Sequence, residues 1–126
     1  MRRGEYRRSV TAQTVTFASG AATSNAFSLA EYAAGIAWLA SGFTGLGLGA
    51  QVATAGGTFA TLVDGSNGYG TDVSCVLPAT QLTELHATPL PPFWFAADQV
   101  KLLAHNLSGS GIPQTSGRVC TLIFKP

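Results

Sequence analysis

The sequence predicts an all-β fold: a single β-sandwich or jelly roll of about seven to eight short antiparallel strands behind an extended N-terminal arm. Three observations carry this. Apolar residues recur at every second position in several separate stretches, which is strand periodicity rather than helix periodicity. Turn-forming pairs such as Ser19-Gly20, Gly56-Gly57, Asp64-Gly65 and Asn67-Gly68 punctuate those stretches. The length, 126 residues, fits one domain with one core. Residues 1–10 are read as a basic arm and residues 11–126 as the sandwich.

Taken in order, Gln13 to Ala18 alternates with Val15 and Phe17 on one face, and Ser19-Gly20 turns the chain. Ala26 to Leu29 is a second short strand. Ile36 to Ala40 follows Gly35, with Ile36, Trp38 and Ala40 sharing a face. Leu46, Leu48, Ala50 and Val52 then alternate against Gly47, Gly49, Gln51 and Ala53. Gly56-Gly57 predicts a two-residue hairpin turn, and Thr58 to Val63 returns with Phe59, Thr61 and Val63 on one face. Val73, Cys75 and Leu77 form the next alternating set, ending at Pro78.

The span from 78 to 97 breaks the pattern. Pro78, Pro89, Pro91 and Pro92 forbid a central strand there, and Thr80 to His86 fits a short helical turn. Pro91-Pro92-Phe93-Trp94-Phe95 has two readings of equal weight. Phe93 and Trp94 serve as an interface anchor or sugar-stacking platform, or the segment plugs one end of the core. Gln99 to His105 alternates again, Ser108 to Gly117 is a Gly/Ser-rich connection, and Arg118 to Lys125 is the closing strand.

Charge is scarce. Asp, Glu, Lys and Arg make up 10% of the chain, against about 25% in an ordinary soluble domain. A surface with so few charges points to coverage by other subunits. The net charge of +1 hides an asymmetry: Arg2, Arg3, Arg7 and Arg8 crowd the arm beside Tyr6, and no Lys or Arg occurs between Arg8 and Lys101. The arm suits docking onto an acidic protein surface, through Arg2, Arg3, Tyr6, Arg7 and Arg8, or is an ordinary solvated tail. Without a basic stripe the body is not a nucleic-acid-binding fold, so no direct nucleic-acid contact is expected. Tyr32 to Val63 is uncharged and long enough to cross a bilayer as a helix. Its many glycines and its alternating second half argue against that, and no membrane contact is expected.

Chemistry is thin. His86 and His105 have no metal-ligand spacing with Cys or with each other. Cys75 and Cys120 sit inside alternating strands, where a small buried hydrophobe is the expected role, and both are expected as free thiols in a reducing compartment. Asp64 and Asp72 flank a glycine-rich loop but are explained as turn formers. Gly45-Leu46-Gly47-Leu48-Gly49 lacks the Lys-Ser/Thr of a phosphate loop. The expectation is no enzyme, no cofactor, no metal and no catalytic residue.

Two stretches carry a resemblance. Gln51-Val52-Ala53-Thr54-Ala55-Gly56-Gly57-Thr58-Phe59 with Leu62-Val63-Asp64-Gly65 resembles the central hairpin of a family of small β-sandwich virion structural proteins of tailed bacteriophages. Val100-Lys101-Leu102-Leu103, then Ser108-Gly109, Pro113-Gln114 and Arg118-Val119-Cys120-Thr121-Leu122, is similar to the end of the same family. The basic arm and the aromatic proline loop depart from the family pattern. The resemblance implies a structural protein of the virion, assembled in the host cytoplasm. Its partners would be the major capsid protein or neck and tail subunits, and copies of itself. Capsid decoration (cement) is the preferred role. A neck, collar or tail component is the alternative, and a carbohydrate-binding β-sandwich module the alternative of another class. A membrane protein such as a small lysis factor would need Tyr32 to Val63 to be helical.

Overall fold

The computed structural model describes residues 10–39, 42–45, 47–53, 57–62, 77–78, 86–106 and 110–126. Among them are nine strands: β1 (Thr11–Phe17), β2 (Phe27–Ser28), β3 (Ala34–Leu39), β4 (Gly47–Ala53), β5 (Ala60–Thr61), β6 (Leu77–Pro78), β7 (His86–Pro89), β8 (Gln99–His105) and β9 (Arg118–Lys125). A 3-10 turn, Pro92–Ala96, lies between β7 and β8. Every strand pair is antiparallel. The predicted β-sandwich is what forms.

One sheet has the order β1-β9-β3-β7, and the other runs β2-β8-β4-β5 with β6 also paired to β4. The alternating residues of β1 and β9 meet along their whole length, Thr11 opposite Phe124 and Phe17 opposite Arg118. On its other side β9 carries β3, with Ile36 opposite Ile123 and Trp38 opposite Thr121. β4 and β8 form the centre of the second sheet, with Gly47 opposite His105 and Ala53 opposite Gln99.

The core follows from the period of two. Val15, Phe17, Ala37, Leu39, Cys120, Leu122 and Phe124 point inward from the first sheet. Phe27, Leu48, Ala50, Val100, Leu102 and Ala104 meet them from the second. Each large side chain so buried contributes about 1.5–3 kcal/mol. Phe124 is the hub of one end: its ring stacks on Tyr32 at 4.7 Å and meets Phe27 at 6.3 Å and Phe95 at 6.4 Å. Gly35 lies against this ring, and a Cβ there would sit 2.7 Å from Phe124 Cδ1. At the other end Phe17 meets Phe43 edge to face, with centroids 5.2 Å apart.

Two polar side chains tie the chain where it passes between sheets. The Thr16 N–H donates to Asn25 Oδ1 at 2.7 Å, and the Asn25 N–H donates to the Thr16 carbonyl at 3.1 Å. The buried Ser24 hydroxyl accepts from the Leu102 N–H at 2.9 Å and donates to the Asn25 carbonyl at 2.9 Å. Buried Gln114 joins three loops. Its side-chain amide accepts from the Thr44 N–H at 2.9 Å and donates to the Thr44 carbonyl at 2.8 Å. Its main chain accepts from the Gly20 N–H at 2.8 Å and donates to the Ala21 carbonyl at 3.0 Å.

Several sequence expectations need correction. The hairpin between β4 and β5 exists, with Gln51 opposite Thr61 and Val52 opposite Ala60. That register leaves an odd number of residues between partners, whereas a two-residue Gly56-Gly57 turn leaves an even number. The Leu62 N–H bonded to the Ala50 carbonyl keeps the same register, and the turn itself, with Gly56, lies outside the described residues. His86 was expected at the end of a helical turn. It opens strand β7 instead, while residues 79–85 lie outside the described residues. β7 occupies a sheet edge, so its Pro89 breaks no central ladder. The expectations on Ala40, Leu46, Gly56, Val63 to Gly70, Val73 and Cys75 also fall outside the described residues.

Candidate interaction surface

The two sheets differ on their outer faces. On the second sheet Gly47, Gly49, Leu103 and His105 are buried although they point away from the core between the sheets. On the first sheet the outer face is open. Its side chains stand in rows fixed by the strand register: Ala12, Ile123, Ile36 and Pro89 in one row, and Thr14, Thr121, Trp38 and Ala87 in the next. Thr16 and Val119 begin a third. Ile36 is 44% exposed, Trp38 45% and Val119 52%, high values for large apolar side chains in a sheet. No acidic or basic residue stands in these rows, and Lys125 marks their end.

Beside Ile36 the face dips into a hollow of about 330 Å³ lined by Ala33, Gly35, Leu90, Pro92, Ile123 and Lys125. A second hollow, about 470 Å³, opens at the opposite sheet between Val52, Thr58, Leu62, Ala97 and Asp98. Near it the Lys101 ammonium lies 4.4 Å from the centre of the Phe59 ring.

Of the residues singled out from sequence, Trp94 is fully buried. Of its two readings, the core plug is the one its side chain fills. Pro at the start of the 3-10 turn fixes the bend that carries it inward, and the Trp94 N–H closes the turn on the Pro91 carbonyl at 3.0 Å. Phe95, next to it, packs half-buried against the core. The Phe93 side chain and Arg2, Arg3, Tyr6, Arg7 and Arg8 lie outside what the structure describes. The face around Trp38 and Ile36 was not singled out, although the alternation that puts both on one side of β3 was its signal.

The titratable groups are placed by packing. Cys120 sits in β9 opposite Val15 and Leu39, fully buried, and burial pushes its thiol from 9.0 up to about 12. A thiol held neutral is a poor nucleophile. Cys120 in the native protein is therefore expected to resist alkylation by iodoacetamide at pH 8 and to react on denaturation, read by mass spectrometry. Because the folded-state value lies above the unfolded one, this contribution to stability is complete below about pH 9 and fades as pH rises toward 12. Burial lowers the pKa of His105, favouring its neutral form. Cys120 and His105 stand in different sheets. Among the described residues no group of three or more His, Cys, Asp or Glu gathers as metal ligands would.

No helix among the described residues is long and apolar enough to cross a membrane. Residues 34–39, 47–53 and 60–61, within the uncharged stretch, are strands.

No family model matches the chain, and no curated protein matches it. Among solved structures it is similar to the crystal structure of SPBc2 prophage-derived protein YomS. The TM-score is 0.51 at 11% sequence identity, covering 93% of this chain and 95% of that one. The likeness is one of fold, and it runs through nearly the whole of both chains.

Proposed function

We propose that the protein is a structural component of a tailed-bacteriophage particle, built into the virion in the host cytoplasm by protein–protein contacts and carrying out no catalysis. The observation that carries this reading is the uncharged outer face of the β1-β9-β3-β7 sheet, with Ile36, Trp38 and Val119 raised on it, in a chain so poor in charge. Exposed apolar patches of this kind mark interaction sites. The full-length fold likeness to a prophage-derived protein supports the same reading. Capsid decoration remains the preferred role and a neck, collar or tail position the alternative. A carbohydrate-binding module is less well supported. Trp38 offers a stacking ring, but no Asp, Glu, Asn, Gln or His stands in the rows around it to bind sugar hydroxyls.

Two measurements test this. Quantitative mass spectrometry of purified virions should find the protein at fixed stoichiometry. A copy number that scales with the shell subunits supports decoration, a single ring supports neck or tail, and absence from the virion overturns the proposal. Purified protein should also bind particles that lack it. Trp38→Glu is expected to lower that occupancy at least tenfold while keeping the fold, because a carboxylate would be desolvated against an apolar partner. Deleting residues 2 to 8 should weaken attachment most at low salt, and the difference from the full-length protein should shrink as salt rises, since exposed guanidinium–carboxylate pairs are screened over about 8–10 Å. Equal occupancy of truncated and full-length protein across the salt titration would reduce the arm to a solvated tail.

A further inference from the structure

A strand at a sheet edge offers a row of unpaired N–H and C=O groups, and proteins blunt such edges with short strands, prolines, charges or bulges. Three of the four described edges are blunted here. β2 is two residues long, and the far side of β4 carries only the two-residue strands β5 and β6. In β7 the Leu90 N–H that follows the strand bonds the Gly35 carbonyl, which turns Pro89 outward, where it offers no N–H. The fourth edge, β1, has seven residues with no proline and no charge.

The open part of β1 can be located. The Thr16 N–H and C=O both bond Asn25, so they point away from β9. Backbone direction alternates along a strand, so the groups of Thr14, Ala12 and Val10 point the same way. Among the described residues nothing bonds them. Val10 is 57% exposed, and Ala12 and Thr14 are exposed. The open run is therefore Val10 to Thr14, closed at its far end by Asn25.

We propose that this edge joins the same edge of a second copy, β1 to β1 antiparallel, about a two-fold axis at Ala12. In that register Val10 faces Thr14 of the second copy and Ala12 faces Ala12. Every open group on each copy is used, and the ladder stops where Asn25 begins. The open run is thus its own complement in length and direction, and β1 brings no charge to the join. Two four-stranded sheets become one of eight, and their uncharged outer faces run together. The join stands independently of the virion role proposed above.

Sedimentation velocity of the full chain tests this, with Ala12→Pro, Ala12→Lys and Ala12→Glu. The wild type should dimerise. Ala12→Pro removes an N–H that the β1–β9 ladder does not use, so the β circular-dichroism spectrum should persist while the dissociation constant rises at least tenfold. Ala12→Lys and Ala12→Glu each set like charges face to face at the axis and should each be monomeric at low salt. Mixed one to one, they should form a heterodimer, and this pair decides the matter if the proline variant misfolds. A wild type that stays monomeric at every concentration, as it would if the chain's own arm or another protein's strand took the edge, overturns the proposal. So does a dimer indifferent to all three substitutions.

Discussion

Replacing Phe124 by Ala is expected to cost about 3–5 kcal/mol, the range for a fully buried phenylalanine, and to lower the thermal midpoint by on the order of 10–20 °C. The side chain is completely enclosed and belongs to both halves of the molecule. It stands in β9 opposite Thr11 of β1 and Gly35 of β3, and its ring meets Tyr32, Phe27 and Phe95. The cavity cannot close easily, because Gly35 offers no side chain to fill it. Phe124→Leu should lose much less, since most of the volume stays. Tyr32 reports on the same site: its ring lies within 14° of parallel to Phe124. A double-mutant cycle between Tyr32→Ala and Phe124→Ala should return a coupling of about 0.5–1.5 kcal/mol. Calorimetric scans of the four proteins check this. Additive losses would mean that the stacked pair contributes area and nothing more.

Gln114→Leu is expected to destabilise by about 2–4 kcal/mol although it makes the core more apolar. The change leaves the Thr44 N–H and carbonyl without the amide that satisfies both, and each partly buried orphan costs about 1–3 kcal/mol. Gln114→Glu sharpens the test. Ionised, the carboxylate still accepts from the Thr44 N–H but faces the Thr44 carbonyl where the amide donated. Protonated, it donates again. The folded-state pKa of the new Glu should therefore rise above its ordinary value near 4.3. Its stability would be greatest below that value and would fall as pH rises through the raised one. Denaturant titrations at pH 4 and pH 7 read this directly: the deficit against wild type should be small at the lower pH and large at the higher.

How much of this was legible in the sequence depends on whether a residue's role is local. β1, β4, β8 and β9 are long, alternate cleanly, and were readable within two residues of their ends. β7 was not: the prolines exclude only a central strand, which its edge position respects, and they mask a short edge strand whose missing N–H faces outward. The Gly56-Gly57 pair marked the hairpin but not its register, which the packing of Leu48, Ala50 and Val52 fixes. Trp94 was ambiguous because the same aromatic chemistry serves an interface and a core. Gln114 was invisible: it lies in a polar connection, and its partners, at Thr44, Gly20 and Ala21, come together only through the fold. For the candidate surface, the scarcity of charge raised the expectation of a partner, while the location of the open face needed the register of four strands.

β9 lies between β1 and β3, so β1 has no strand partner in its sheet, and β3 only β7, until the chain beyond residue 117 has emerged. Pairing Thr11 with Phe124 closes a loop of nearly the whole sequence. Such non-local closure is slow, typically milliseconds to seconds for all-β domains. At about 5–20 residues per second on the ribosome, β1 waits several seconds with its hydrophobic face and both edges bare. Yield of soluble protein should therefore be governed by that waiting period rather than by final stability. Faster elongation, or a chaperone that shields extended segments, would raise it without altering the finished molecule.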